Sequence, residues 1–162
     1  MQGPLLSYGL LGALAIALVV AAFTDMRRRQ IDNWLNGAIA LAAPLYWWAC
    51  GMGLAQMGWQ LALALGSFIV LAALFALRAM GGGDVKLISA LALWIKPALF
   101  MNLLMVMALA GGVLTLALAF WHIARRQRDR IAVPYGIAIA IGGLWVLAAD
   151  YLPLIESGQI PG

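Results

Sequence analysis

Apolar residues come along this chain in runs near twenty long, separated by short charged clusters. A helix rises ~1.5 Å per residue, so about twenty apolar residues cross the ~30 Å hydrocarbon core of a bilayer. The pattern predicts an all-α, polytopic membrane protein: a bundle of six transmembrane helices in one membrane-embedded domain, residues 1–162. The predicted spans are 4–25, 35–51, 59–78, 84–96, 98–121 and 132–152. The fourth is short and is expected to sit low, its start drawn into the bundle or into a local water-filled recess. No internal repeat or low-complexity segment interrupts the series. No room is left for a soluble catalytic domain, so chemistry has to be built from helix ends and short connections.

Composition agrees, with 65% hydrophobic and 10% charged residues and a mean hydropathy of +0.98. Soluble domains run at about 45–50% apolar and about 25% charged. The net charge of +4 matters through its placement. Threading six spans from an external N-terminus puts Arg27–Arg29, Arg78, Lys86, Arg125, Arg126, Arg128 and Arg130 on the cytoplasmic side and leaves Lys96 outside. That is the positive-inside bias of a polytopic membrane protein, and it implies a lipid bilayer rather than nucleic acid as the partner surface. The first run precedes its basic cluster instead of following one, which is wrong for a cleaved signal peptide. Trp47, Trp48, Trp59, Trp94 and Trp145 are expected in the outer interfacial belt, and Trp34 and Trp121 in the inner one. Gly111–Gly112 and Gly142–Gly143 are expected to let helices approach closely in lipid. The single cysteine, Cys50, excludes an internal disulfide and a cysteine-based metal site.

The acids are Asp25, Asp32, Asp84, Asp129, Asp150 and Glu156. Asp129 reads as a solvated partner of the arginines around it, and Asp150 and Glu156 as outer surface residues. Asp25 closes the first run, in AAFTDMRRR, and Asp84 follows three glycines, in RAMGGGDVKLISAL. Both fall at the cytoplasmic boundary at similar depth, where an acid is costly and points to function. Each also has a plainer reading: Asp84 as the N-cap of the fourth helix, Asp25 as an interfacial acid neutralised by Arg27–Arg29. Gly81, Gly82 and Gly83 can adopt positive φ and let another backbone lie close, as an extended peptide substrate requires. No Gly-Lys-Ser/Thr ending supports a phosphate loop.

Elimination narrows the chemistry. His122 is the one histidine, so a zinc motif of the HExxH kind is absent, and His122 beside Trp121 reads as an interfacial anchor. Ser67 and Ser89 lie outside any nucleophile-elbow context. A carboxylate pair remains. Two such groups a few ångströms apart share one proton, so one member activates water while the other polarises a scissile carbonyl, with neither metal nor cofactor. Helix ends set the two apart: Asp84 opens a helix and Asp25 closes one.

Three segments carry a resemblance. GGGDVKL (Gly81–Leu87) is similar to the GxGD signature of type IV prepilin peptidases, which are intramembrane aspartic proteases. AFTDMRRRQIDNW (Ala22–Trp34) is similar to their first-aspartate segment, and RIAVPYGIAIAIGG (Arg130–Gly143) to their last span. Order, separation and length resemble the short, Flp-type (tight-adherence) branch. The resemblance implies a prepilin peptidase that removes a basic leader at the cytoplasmic face, after a glycine and before the hydrophobic pilin helix. It implies Asp25 and Asp84 as the catalytic pair, Gly81, Gly82, Gly83, Asn33 and Tyr135 as substrate-binding or loop-shaping residues, and cleavage without the methylation performed by the longer, CxxC-bearing branch. Tyr135 either lines the site or anchors the interface, and Pro134 fits the first helical position. Asp32 stands where the family has proline; it is read as solvated, with docking of the basic leader as the alternative. Lys86 is expected to snorkel to lipid phosphates.

Three other functions compete: a GxGD protease cutting signal-peptide remnants, a small proton-coupled transporter relaying protons through the same aspartates, and a structural assembly subunit. The PYG of the last span argues against the first and the absence of repeats against the second; the third leaves the acids and glycines unexplained.

Overall fold

The computed structural model describes residues 3–125 and 134–153; among them are six α-helices and no strand. In chain order these are α1 (Gly3–Arg28), α2 (Asn33–Ala49), α3 (Leu54–Ala76), α4 (Gly82–Leu91), α5 (Pro97–Ala124) and α6 (Tyr135–Val146), the last running into a π-helical turn, Leu147–Tyr151. Arg126, Arg128, Asp129, Arg130, Glu156 and the side chain of Asp150 lie outside the described residues.

Among the described residues three stretches are long and apolar enough to cross a bilayer unaided: Leu5–Arg28, Leu54–Ala76 and Pro97–Ala124. With 17 residues α2 is shorter, as is the apolar helix Tyr135–Ala149. The fourth expected span departs most. The helix there, Gly82–Leu91, has only ten residues, a rise of ~15 Å against a ~30 Å core. Beyond Leu91 the backbone tightens: Leu93 N–H turns to the Ala90 carbonyl (3.2 Å) and Trp94 N–H to that of Leu91 (2.9 Å). Pro97 then pushes Lys96 out of the helical region, to ψ 143°.

The carbonyl released at Leu93 does not go unsatisfied. The indole N–H of Trp47 donates to it at 2.7 Å and the Gln60 amide at 3.4 Å. Trp94 in turn donates to the Ile39 carbonyl at 2.9 Å and stacks on Tyr46, ring centroids 5.0 Å apart. Trp47 and Trp94 are therefore buried structural donors and not members of an outer belt, whereas Trp48, Trp59, Trp145, Trp34 and Trp121 are exposed. Inside hydrocarbon an unpaired main-chain carbonyl is expensive, and the Trp47 indole is spent closing the end of a short helix, while that of Trp94 ties the turn to α2.

Helix α6 packs against α1, α5 and α4, while α4 packs against α3 and α2. The close approaches run through glycine. A Cβ on Gly142 would stand 2.8 Å from the Leu103 carbonyl oxygen of α5, and one on Gly143 would stand 2.8 Å from Leu18 Cδ1 of α1. Gly111 faces the Tyr135 ring. Gly112 corrects the expectation for its pair, because a side chain there meets nothing within 4 Å.

Two arginines shape the ends nearest the acids. Helix α3 closes in a Schellman motif with Arg78, at φ 58°, in the left-handed position usual for glycine; Ala79 N–H reaches the Leu74 carbonyl and Arg78 N–H that of Phe75, both at 2.9 Å. Arg29, at φ 53°, ends α1 one turn after Asp25.

Gly142→Ala should cost about 1–3 kcal/mol by overpacking α6 against α5, read as a lower melting temperature in detergent. Gly112→Ala in the same assay should lose nothing.

Candidate active site

Asp25 lies in the last turn of α1 and is only 6% exposed. Its carboxylate is met from α6: Gly136 N–H donates to Asp25 Oδ2 at 2.7 Å. The first N–H groups of any helix lack intrahelical acceptors, and α6 offers one of them here. Pro134 is the N-cap of α6 and not its first helical residue, which makes Gly136 the second residue of the helix. The approach needs glycine, since a Cβ at position 136 would stand 2.8 Å from Asp25 Cβ and 2.9 Å from its carboxyl carbon.

Asp84 is the third residue of α4, behind Gly81 at the N-cap. The N-cap reading is thus corrected by three residues. Its carboxylate turns back toward Gly81, where an added Cβ would stand 2.8 Å from Oδ2. A helix needs no acid at this position, so the cap alone does not account for the residue.

The three glycines serve close approach and not positive φ: among the described glycines only Gly51 has one. A Cβ on Gly81 would stand 2.8 Å from Asp84 Oδ2, one on Gly82 3.2 Å from the Phe75 ring, and one on Gly83 3.2 Å from Ile31 Cβ. The loop is pressed between the end of α3 and the α1–α2 connection. What approaches it in this structure is the protein itself.

The two acids open onto one cavity of about 420 Å³, lined also by Asp32, Arg29 and Asn33 and by Gly81–Gly83. The carboxylates of Asp25 and Asp84 lie within electrostatic range of each other. Asp25 takes a main-chain N–H from the first turn of α6, while Asp84 sits in the first turn of α4 with its carboxylate turned toward Gly81. Asp32 is the N-cap of α2, in extended backbone at φ −63° and with no side-chain capping bond. That φ is the one a proline ring imposes.

Asn33 lines the cavity and accepts a 2.7 Å hydrogen bond from Lys86 Nζ. Lys86 therefore ties α4 to the start of α2, in place of the expected reach to lipid phosphate. Tyr135 packs its ring on Gly111 of α5 and is not part of the cavity lining. His122 faces the Leu118 carbonyl of its own helix at 3.2 Å. Among the described residues no three of His, Cys, Asp and Glu stand together as a metal cage.

Sequence reasoning missed Gly136 and Asn36. Gly136 was in plain view inside the last-span segment, but a glycine in an apolar run carries no sign of the carboxylate it faces. Asn36 is buried one turn into α2 and donates from Nδ2 to the Gly83 carbonyl at 3.3 Å, holding the loop from the other side.

Cysteines placed at 25 and 84 in a Cys50→Ser background should be bridged by a short bifunctional thiol reagent. Adding Gly136→Ala, which pushes α1 from α6, should at least halve the yield on a denaturing gel.

The sequence profile of the type IV leader peptidase family matches residues 12–116, a stretch that contains both Asp25 and Asp84 and stops short of α6. No curated protein and no solved structure matches the chain. With well over half of its length matched, and with three helices fit to cross a bilayer, the chain belongs to the type IV leader peptidase family and is a membrane protease.

Proposed function

We propose that this chain is a prepilin peptidase of the aspartic type, cutting after the glycine that precedes the hydrophobic N-terminal helix of Flp-type prepilins. The observation that carries the reading is that Asp25 and Asp84, on different helices and 59 positions apart by their numbering, line one polar cavity. Two carboxylates in such a site share a proton, and the pair titrates as a unit. The ionised member takes a proton from water as the oxygen attacks the scissile carbonyl carbon. The protonated member donates to the carbonyl oxygen, whose negative charge grows. Collapse of the tetrahedral diol breaks the C–N bond: the leaving amine takes the proton from one carboxyl while a diol hydroxyl gives its proton to the other as the carbonyl re-forms, so the pair ends singly protonated.

The six-span arrangement, with an external N-terminus and the cavity at the cytoplasmic face of a bacterial inner membrane, belongs to the same proposal. Its support is charge placement. Arg27, Arg28, Arg29, Arg78, Lys86 and Arg125 all belong to the cavity end of their helices, while Lys96 sits beside Met52 and Gln56 at the opposite end. A cavity mouth holding three acids draws Lys/Arg-bearing leaders, although Arg29 opposes them from the same lining. Gly81–Gly83 and Asn33 shape the loop at that mouth, and Tyr135 acts at one remove by seating α6 on α5.

Asp25→Asn and Asp84→Asn, made separately, should each abolish leader removal from a co-expressed prepilin, scored by the size shift, without loss of membrane insertion. Processing that persists in either variant contradicts the dyad. Asp32→Pro fits the backbone already present and should retain processing with stability equal or raised by about 0.4–1 kcal/mol. A tenfold or greater loss with that variant would instead give Asp32 a part in leader docking.

A further inference from the structure

A second hollow adjoins the polar one. It measures about 390 Å³ and lies between α2, α3 and α4, walled by Gly37, Ala40, Phe68, Ala90 and Leu93. Asn33 lines both hollows, so the trough begins where the aspartate cavity ends. Phe68 is half exposed at its rim, and Gly37 leaves its floor open, because a Cβ there would meet nothing within 4 Å.

One polar group in this apolar setting is unexplained. Asn36 is only 4% exposed and lines the trough. Its Nδ2 is committed to the Gly83 carbonyl, and its Oδ1 has no donor among the described residues. Reversing the amide would not help, since it would set an oxygen against the Gly83 oxygen. A buried acceptor without a donor is destabilising, and a ligand that brings an N–H removes that penalty.

We propose that this trough seats the apolar stretch of substrate following the scissile bond, with Asn36 Oδ1 accepting a main-chain N–H from it. The proposal rests on the leader-peptidase reading and adds where the substrate lies. The first turn of an apolar helix, whose leading N–H groups have no intrahelical acceptor, supplies both what the walls need and what Asn36 lacks. A lipid acyl chain supplies only the first. Because Asn36 also grips Gly83, next to Asp84, the residue that receives the substrate chain positions the loop beside the dyad. Asn36 is thus a positioning and specificity residue and takes no part in bond breaking.

The test uses the full chain in proteoliposomes with two substrates: a Flp-type prepilin, and the same prepilin ended two residues after the scissile bond. Gly37→Phe points a ring into open space and should lower kcat/KM for the long substrate at least tenfold relative to the short one. Gly12→Phe, at an equally open glycine of α1, should leave that ratio as in the wild type. Replacing one main-chain amide just after the scissile bond by an ester, scanned over successive positions, should weaken wild-type cleavage about tenfold at one position. An Asn36→Leu enzyme should be indifferent to that ester. Should Gly37→Phe fail to insert, a Gly37→Cys, Cys50→Ser, Asp25→Asn chain should form disulfides with prepilin cysteines after the scissile bond and not with those in the leader. Bridging to the leader alone, or wild-type ratios in Gly37→Phe, overturns the trough. A wild-type enzyme that cuts neither substrate overturns the underlying reading instead.

Discussion

A buried carboxylate in a lipid-facing bundle has to be met by a donor, and at Asp25 that donor is the main chain of another helix. The 2.7 Å hydrogen bond from Gly136 N–H requires α6 to begin at that depth and requires residue 136 to have no side chain. It also brings α1 and α6 together at the end of the molecule where α4 begins. Asp84 turns its carboxylate back toward Gly81 of its own helix cap. The main-chain donor at Asp25 belongs to a rigid element and cannot swing away, and Arg29 adds its charge from the same cavity lining.

The short helix α4 makes that framework possible. A full-length span would place its N-terminus at the membrane surface. A ten-residue helix followed by a tight turn lets its start lie between α2 and α3, with water-accessible volume beside it. The cost is a main-chain carbonyl released at Leu93 in the interior, and Trp47 and Gln60 offset it. Two tryptophans that a membrane protein would ordinarily keep at its interfaces are thus drawn inward by the backbone's need for donors. The glycine triplet belongs to the same construction: it thins the loop so that Phe75 and Ile31 can close over it.

Much of this was legible in the residues. The runs of apolar positions located every helix, because periodic burial in lipid leaves a strong compositional trace. The motif around Asp84 and the acid at the end of the first run singled out the two carboxylates that share the cavity. What could not be read were relations between helices. Gly136 looks like any packing glycine until Asp25 is placed against it. Lys86 looks like a snorkelling cation until Asn33 is found 2.7 Å away. Asp84 was readable as an N-cap because its neighbours gave no register, and only the hydrogen-bond pattern of α4 moved it to the third position. The turn after Leu91 was hidden because the residues there are as apolar as those of a continuing helix.

At the centre of this reading, Asp25 and Asp84 act together on one carbon atom. The most direct measurement is an experimental structure of the protein with a leader peptide in which a hydroxyethyl group replaces the scissile amide. The expected result is a hydroxyl within hydrogen-bond reach of both carboxylates. A hydroxyl touching neither of them, or bound at the opposite face of the bundle, would contradict it.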